Sequence, residues 1–135
     1  MQTGHSDTTT GGIRVRVASQ FLPERSDPDR GLYFFVYRVQ LTNDGTEPAR
    51  LLSRYWLITD GQGETEEVQG AGVVGDQPHL EPGEGYEYMS GCPLETEWGT
   101  MEGHYEFERD GGERFEVSIG RFFLAMGTAP ITALD

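Results

Sequence analysis

Gly70, Gly72 and Gly75 stand in G-x-G-x-x-G spacing. In nucleotide-binding turns this spacing lets the backbone approach a pyrophosphate and presents the anion to the first N–H groups of a helix. That chemistry needs the helix. Pro78 and Pro82 follow the last glycine, and a proline inside a helix removes a hydrogen bond and clashes with the preceding turn. The segment therefore reads as a loop with no α-turn behind Gly75. Glycine supplies 19 of 135 residues, so the bare spacing carries little information. From Tyr55 to Glu108 there are thirteen Asp or Glu residues and no Arg or Lys. A polyphosphate bound there would need a bridging divalent cation, or Arg54 folded in from a neighbouring strand. A binding loop would consist of Gly70, Gly72, Val73, Val74 and Gly75 with Arg54. A structural loop would use Gly70 and Gly72 to bend a strand end and Gly75 for a positive φ, with Val73 and Val74 plugging the end of the core. The prolines favour the structural loop.

Other residues with chemical potential are dispersed. His5, His79 and His104 have no metal-ligand spacing. Glu102, His104, Glu106 and Glu108 alternate and would share one strand face, where a divalent cation could collect, although a solvated sheet face has the same pattern. Ser90 and Cys92 lack a nearby histidine base, and no nucleophile elbow or paired-carboxylate motif stands out. The sequence thus assigns no catalytic residue, resident metal or cofactor. Trp56 reads as core, with Arg54 marking where its strand leaves the interior. Trp98 reads as packed under its loop, with a partner anchor as the alternative.

The elements that must position these residues are strands. Ile13, Val15 and Val17 alternate with arginines; Tyr33 to Leu41 keeps one apolar phase; Arg50 to Thr59 is rich in aromatic and β-branched residues. Glu64 to Val68 and the Tyr86–Tyr88 region read as further strands. Asp110-Gly111-Gly112 joins the last two in a hairpin. Pro82-Gly83 suits the centre of a type II turn. No segment of helical length keeps helical spacing free of Gly or Pro. The expectation is an all-β, immunoglobulin or fibronectin type III-like antiparallel sandwich of about seven strands, with a small barrel as alternative. One domain spans residues 13–124, after a flexible polar tail (1–12) and before a C-terminal extension (125–135). The net charge of −13, with ten arginines and no lysine, disfavours nucleic acid and anionic membranes as partners. The single Cys92 and the lack of a leader-like or spanning apolar run suit the cytoplasm.

Several motifs occur together in order: Arg54-x-Trp56, Gly70-x-Gly72-Val73-Val74-Gly75-x-Gln77-Pro78, Leu80-x-Pro82-Gly83-Glu84, Tyr88-x-Ser90-Gly91 and Gly99-Thr100-Met101-x-Gly103-x-Tyr105. With Tyr33 to Asn43 upstream, this series resembles the ApaG family of small bacterial proteins over most of residues 13–124. The resemblance implies a fibronectin type III-like sandwich. It also implies a gene neighbourhood shared with a diadenosine tetraphosphate hydrolase, and an association with cobalt and magnesium resistance. Related eukaryotic domains sit in an F-box protein and a DNA-polymerase-interacting protein, which implies protein recognition more than catalysis. Pyrophosphate binding suggested for the family falls here on Gly70, Gly72 and Gly75. Ile119-Gly120-Arg121-Phe122 departs from the proline-containing stretch expected there. The reading is a non-catalytic interaction module with an unknown protein partner; a homodimer paired through an edge strand is the other association it allows. The alternative is a nucleotide or pyrophosphate binder.

Overall fold

The structure is a computed structural model, and it describes residues 4–127. Among the described residues nine strands form in chain order: β1 (His5–Thr10), β2 (Ile13–Phe21), β3 (Tyr33–Asn43), β4 (Ala49–Asp60), β5 (Thr65–Ala71), β6 (His79–Leu80), β7 (Gly85–Leu94), β8 (Trp98–Arg109) and β9 (Arg114–Ala125). One sheet has the order β1-β2-β3-β7 and the other β5-β4-β8-β9, with β6 on β4; every pairing is antiparallel. The fold is the expected all-β sandwich. The apolar phases read from the sequence become the two inner faces: Ile13, Val15 and Val17 meet Phe35, Val39 and Leu41 on one sheet, and Leu51, Trp56, Tyr105, Phe107 and Phe122 on the other. Between β2 and β3 the chain makes two 3-10 turns, Pro23–Arg25 and Pro28–Arg30. Among the described residues no helix is long and apolar enough to cross a membrane.

Two expectations need correction. Residues 5–10 are not a flexible tail but strand β1, in register with β2 from His5↔Ala18 to Thr10↔Ile13. It has no apolar alternation because neither face is deeply buried. It is held by hydroxyls instead: Thr8 Oγ1 donates to the Ser118 carbonyl at 2.8 Å, and the Ser118 N–H donates to Thr10 Oγ1 at 3.3 Å. The strand count rises from about seven to nine accordingly, with two-residue β6 the other addition. The C-terminal boundary also moves, since β9 runs through Ala125, and residues 128–135 of the expected extension lie outside the described residues. The Gly120-Arg121 departure is a bulge, with pairing shifting between Met101↔Phe122 and Gly103↔Ile119.

Candidate functional site

The glycine segment is a tight hairpin. Val73 and Asp76 exchange backbone hydrogen bonds, both 2.8 Å, around Val74-Gly75. Those two residues have φ of 41° and 87°, the positive pair a type I′ turn requires. No helix begins at Asp76: that residue is in an isolated bridge to Val73, Gln77 and Pro78 have no regular structure, and the next element is strand β6. The loop is also tied down on every side. The Gly72 N–H donates to Leu52 O (2.8 Å), Gln77 Nε2 to the same carbonyl (2.9 Å), Arg50 to Gln77 O (2.6 Å), and the Tyr86 hydroxyl to Asp76 (2.6 Å). With the N–H groups of Gly72, Val73 and Asp76 already donating to carbonyls, the loop offers few converging amides to an anion.

Arg54 does fold in from β4, but it meets the loop's carbonyls. Its NH1 donates to Gly72 O at 2.8 Å and Ala71 O at 3.1 Å. A Cβ on Gly70 would lie 2.9 Å from the guanidinium, so glycine at 70 makes room for this arginine. Gly72 combines a φ of 64° with a Cβ position 2.3 Å from the Asp76 carbonyl oxygen, whereas Gly75 has a positive φ but open space around it. Val73 is fully buried and plugs the core end as expected; Val74 is 58% exposed and does not.

Arg54 stands at one end of a slot between the free edges of β5 and β7. The slot holds about 220 Å³; Tyr37, Trp56, Ile58 and Met101 form its floor, with Glu66 and Val68 on one lip and Ser90 to Pro93 on the other. Its continuation along the flank is bordered by Asp60, Glu64, Glu66 and Glu95. Beneath it the buried hydroxyls of Tyr88 and Tyr105 hydrogen-bond each other. Burial raises the pKa of both, and of Tyr37, where a Ser90 hydrogen bond opposes the shift. Burial also pushes the Cys92 thiol up to about 12, which keeps it protonated and unreactive.

The remaining candidates have structural partners. The acidic row on β8 is a salt-bridged ladder: Glu102 pairs with Arg121, Glu106 and Glu108 pair with Arg114, and His104 lies 3.9 Å from Glu116 while stacking on Tyr55. His79, separated in sequence from its partner, bonds Asp110 at 2.8 Å and lies 3.7 Å from Glu81. The two carboxylates occupy opposite ring nitrogens, so the histidine pins β6 to the β8–β9 turn. Sequence spacing gave no sign of this group, because its members meet only when β6 docks beside the hairpin. Trp98 opens β8, stacks on Phe123 and lies over Gly61, yet stays 42% exposed.

The ApaG domain family model matches residues 23–109. The chain belongs to the ApaG family. Protein ApaG of Bordetella pertussis is 51% identical over 114 residues, covering 84% of this chain and 87% of that protein. Protein ApaG of an Anaeromyxobacter species is 52% identical over 121 residues, covering 90% and 95%. The crystal structure of a Bordetella pertussis protein described as ApaA superposes with a TM-score of 0.82 at 45% identity, over 96% of this chain and all of that one. A Bacteroides uniformis β-glucuronidase aligns with 82% of this chain but 13% of its own length, at 15% identity and a TM-score of 0.53, which is likeness of fold alone. This chain is an ApaG-type β-sandwich. Its glycine segment has a structural reason for each of the motif's three glycines.

Proposed function

We propose that this ApaG domain is a cytoplasmic protein-interaction module that engages its partner along the β5/β7 flank. The observation that carries the reading is the contrast between flanks. Where β1 meets β9 the sandwich edge is covered, while β5 and β7 each pair on one side only and leave the slot between them. Free strand edges beside an apolar slot suit recognition of an extended segment. The test is photocrosslinking from a reactive residue placed at Thr65 or Gln69, with Ser118 on the covered flank as control. Enrichment of one protein from the open flank alone is the expected result. No enrichment over an unrelated acidic sandwich overturns the reading.

A second reading keeps Gly70, Gly72, Val73, Val74, Gly75 and Arg54 as a pyrophosphate site with a bridging divalent cation, and would connect the domain to cobalt and magnesium handling. Arg54 on the loop favours it; the prior use of that guanidinium and of three loop amides weighs against it. Calorimetry with diadenosine tetraphosphate and Mg²⁺ separates the two, and an absence of heat at high micromolar ligand leaves the loop structural.

A further inference from the structure

We propose that the β5 edge binds an extended, lysine- or arginine-bearing segment of a partner protein by strand addition, with Glu64, Glu66 and Glu95 receiving its cationic side chains. This rests on the interaction-module reading and specifies its partner.

The backbone parity of the two free edges selects β5. The Gly72 N–H bonds Leu52 O, and the Asp60 N–H bonds Glu64 O. Antiparallel alternation then directs the even residues of β5 at β4 and turns the N–H and C=O groups of Thr65, Glu67 and Gln69 outward. No proline interrupts them. On β7 the Asn43 N–H bond to Glu84 O and the Leu22 N–H bond to Phe34 O set the same parity, so the outward positions are Gly85, Glu87, Met89, Gly91 and Pro93. Pro93 lacks a donor at an outward position, the usual placement of proline on an edge strand. The β7 edge is therefore blunted beside the slot and the β5 edge is not.

Charge selects the occupant. Carboxylates on the outer face of β8 are matched by arginines of β9. Among the described residues, Glu64, Glu66 and Glu95 have no cationic partner. Residues 62–67 are all exposed. A second copy adding antiparallel to the same edge would set Glu64, Glu66 and Glu67 against their equivalents, and like charges across a strand pair destabilise it. A cationic segment removes that repulsion, because Glu64 and Glu66 lie on the slot face of β5 and every second side chain of an added strand would face them.

The test uses the full chain and a fluorescein-labelled nonapeptide of alternating valine and lysine, with a valine–glutamate peptide as control, followed by fluorescence anisotropy. The lysine peptide is expected to bind and the glutamate peptide not to. The triple variant Glu64→Gln, Glu66→Gln, Glu95→Gln should weaken binding by about tenfold or more. So should Gln69→Pro, which removes an outward donor but no β4 bond, with unchanged circular dichroism confirming its fold. As an independent arm, methylating alternate backbone nitrogens of the peptide should abolish binding to the unmodified protein. Undiminished binding by Gln69→Pro together with the methylated peptide would reduce the effect to plain charge attraction and overturn the proposal. Equal binding of the glutamate peptide would do the same, as would a concentration-dependent dimer dissolved by Gln69→Pro. If the lysine peptide fails while crosslinks from Thr65 still capture one partner, the cationic-strand inference falls and the module reading stands.

Discussion

The two flanks of this sandwich solve the edge problem in opposite ways. On the β1/β9 flank, short hydroxyl side chains reach across the gap to backbone groups: Thr8 and Thr10 bond Ser118, and Ser19 Oγ donates to Phe123 O at 2.6 Å. On the β5/β7 flank no strand bridges the gap, and aromatic bulk closes the core from beneath. Trp56 there touches Tyr37 (5.3 Å between centroids), Phe122 (5.9 Å) and Tyr105 (6.4 Å). Hydrogen bonds between near-surface groups contribute about 1 kcal/mol each, whereas a buried aromatic contributes several. The covered flank is thus sealed by many weak links and the open one by a few strong ones.

Trp56→Ala is the sharpest way to break that comparison. It removes the floor of the slot and should destabilise the protein by about 3–5 kcal/mol in urea unfolding. A loss below 1 kcal/mol would show that the open flank does not depend on its floor.

Alkali should distinguish the flanks next. Cys92 has its folded pKa raised from an ordinary 9.0 to about 12. The stability linked to it is therefore fully present below pH 9 and is lost as pH rises toward 12, at up to about 1.4 kcal/mol per pH unit, or about 3 kcal/mol by pH 11. Tyr37, Tyr88 and Tyr105 add to the loss above their ordinary value of 10, for the same reason. The Thr and Ser hydroxyls of the covered flank do not titrate there. Asp7, held below its usual range chiefly by the Arg14 hydrogen bond, supports that flank above its ordinary value and releases it as pH falls further. Urea midpoints should drop steeply between pH 9 and 11, and Cys92→Ala should flatten the first part of the drop.

Deleting residues 2–11 should cost at least about 2 kcal/mol, since the two hydroxyl bonds contribute about 1 kcal/mol each and the Asp7–Arg14 bond and the β1–β2 ladder are lost with them. It should also expose the β9 edge to self-association, visible by sedimentation. A tail without structure would leave both measurements unchanged.

How far the sequence shows these features depends on what stabilises each one. Strands buried on one face betray themselves by alternation, as Tyr33 to Leu41 and Tyr105 with Phe107 do. Turns with one chemical solution are equally plain: Gly83 has a φ of 88° and the Glu84 N–H closes on Glu81 O, as Pro82-Gly83 suggested. Strand β1 was missed because HSDTTT buries no apolar face and its hydroxyl contacts at Ser118 are 108 to 110 residues away, so that the Gly11-Gly12 turn joining it to β2 read as part of a tail. The glycine spacing was legible but ambiguous. Only the position of Arg54, which needs Gly70 bare, shows why the first glycine is there. The free carboxylates of the open flank were visible as acidic residues, but their lack of arginine partners depends on which strand β9 adjoins.

Val74 offers the finest test of the comparison, because it is the one described non-glycine residue with a positive φ, 41°, and it is exposed. A β-branched side chain in that region is strained by about 1–2 kcal/mol, and the first central position of a type I′ turn ordinarily takes Asn, Asp or Gly. Nothing in the core repays the strain, since the buried neighbour is Val73. Val74→Asn should therefore stabilise the protein by about 1 kcal/mol in thermal or urea unfolding, a gain no substitution of Thr8 or Thr10 on the covered flank should match. If the exposed methyls are kept for contact with a partner near the Arg54 end of the slot, the same variant should weaken crosslinking from Gln69 while it raises the melting temperature. Stabilisation with undiminished crosslinking would confine Val74 to the turn, and a loss of stability would mean that the turn does not strain its valine at all.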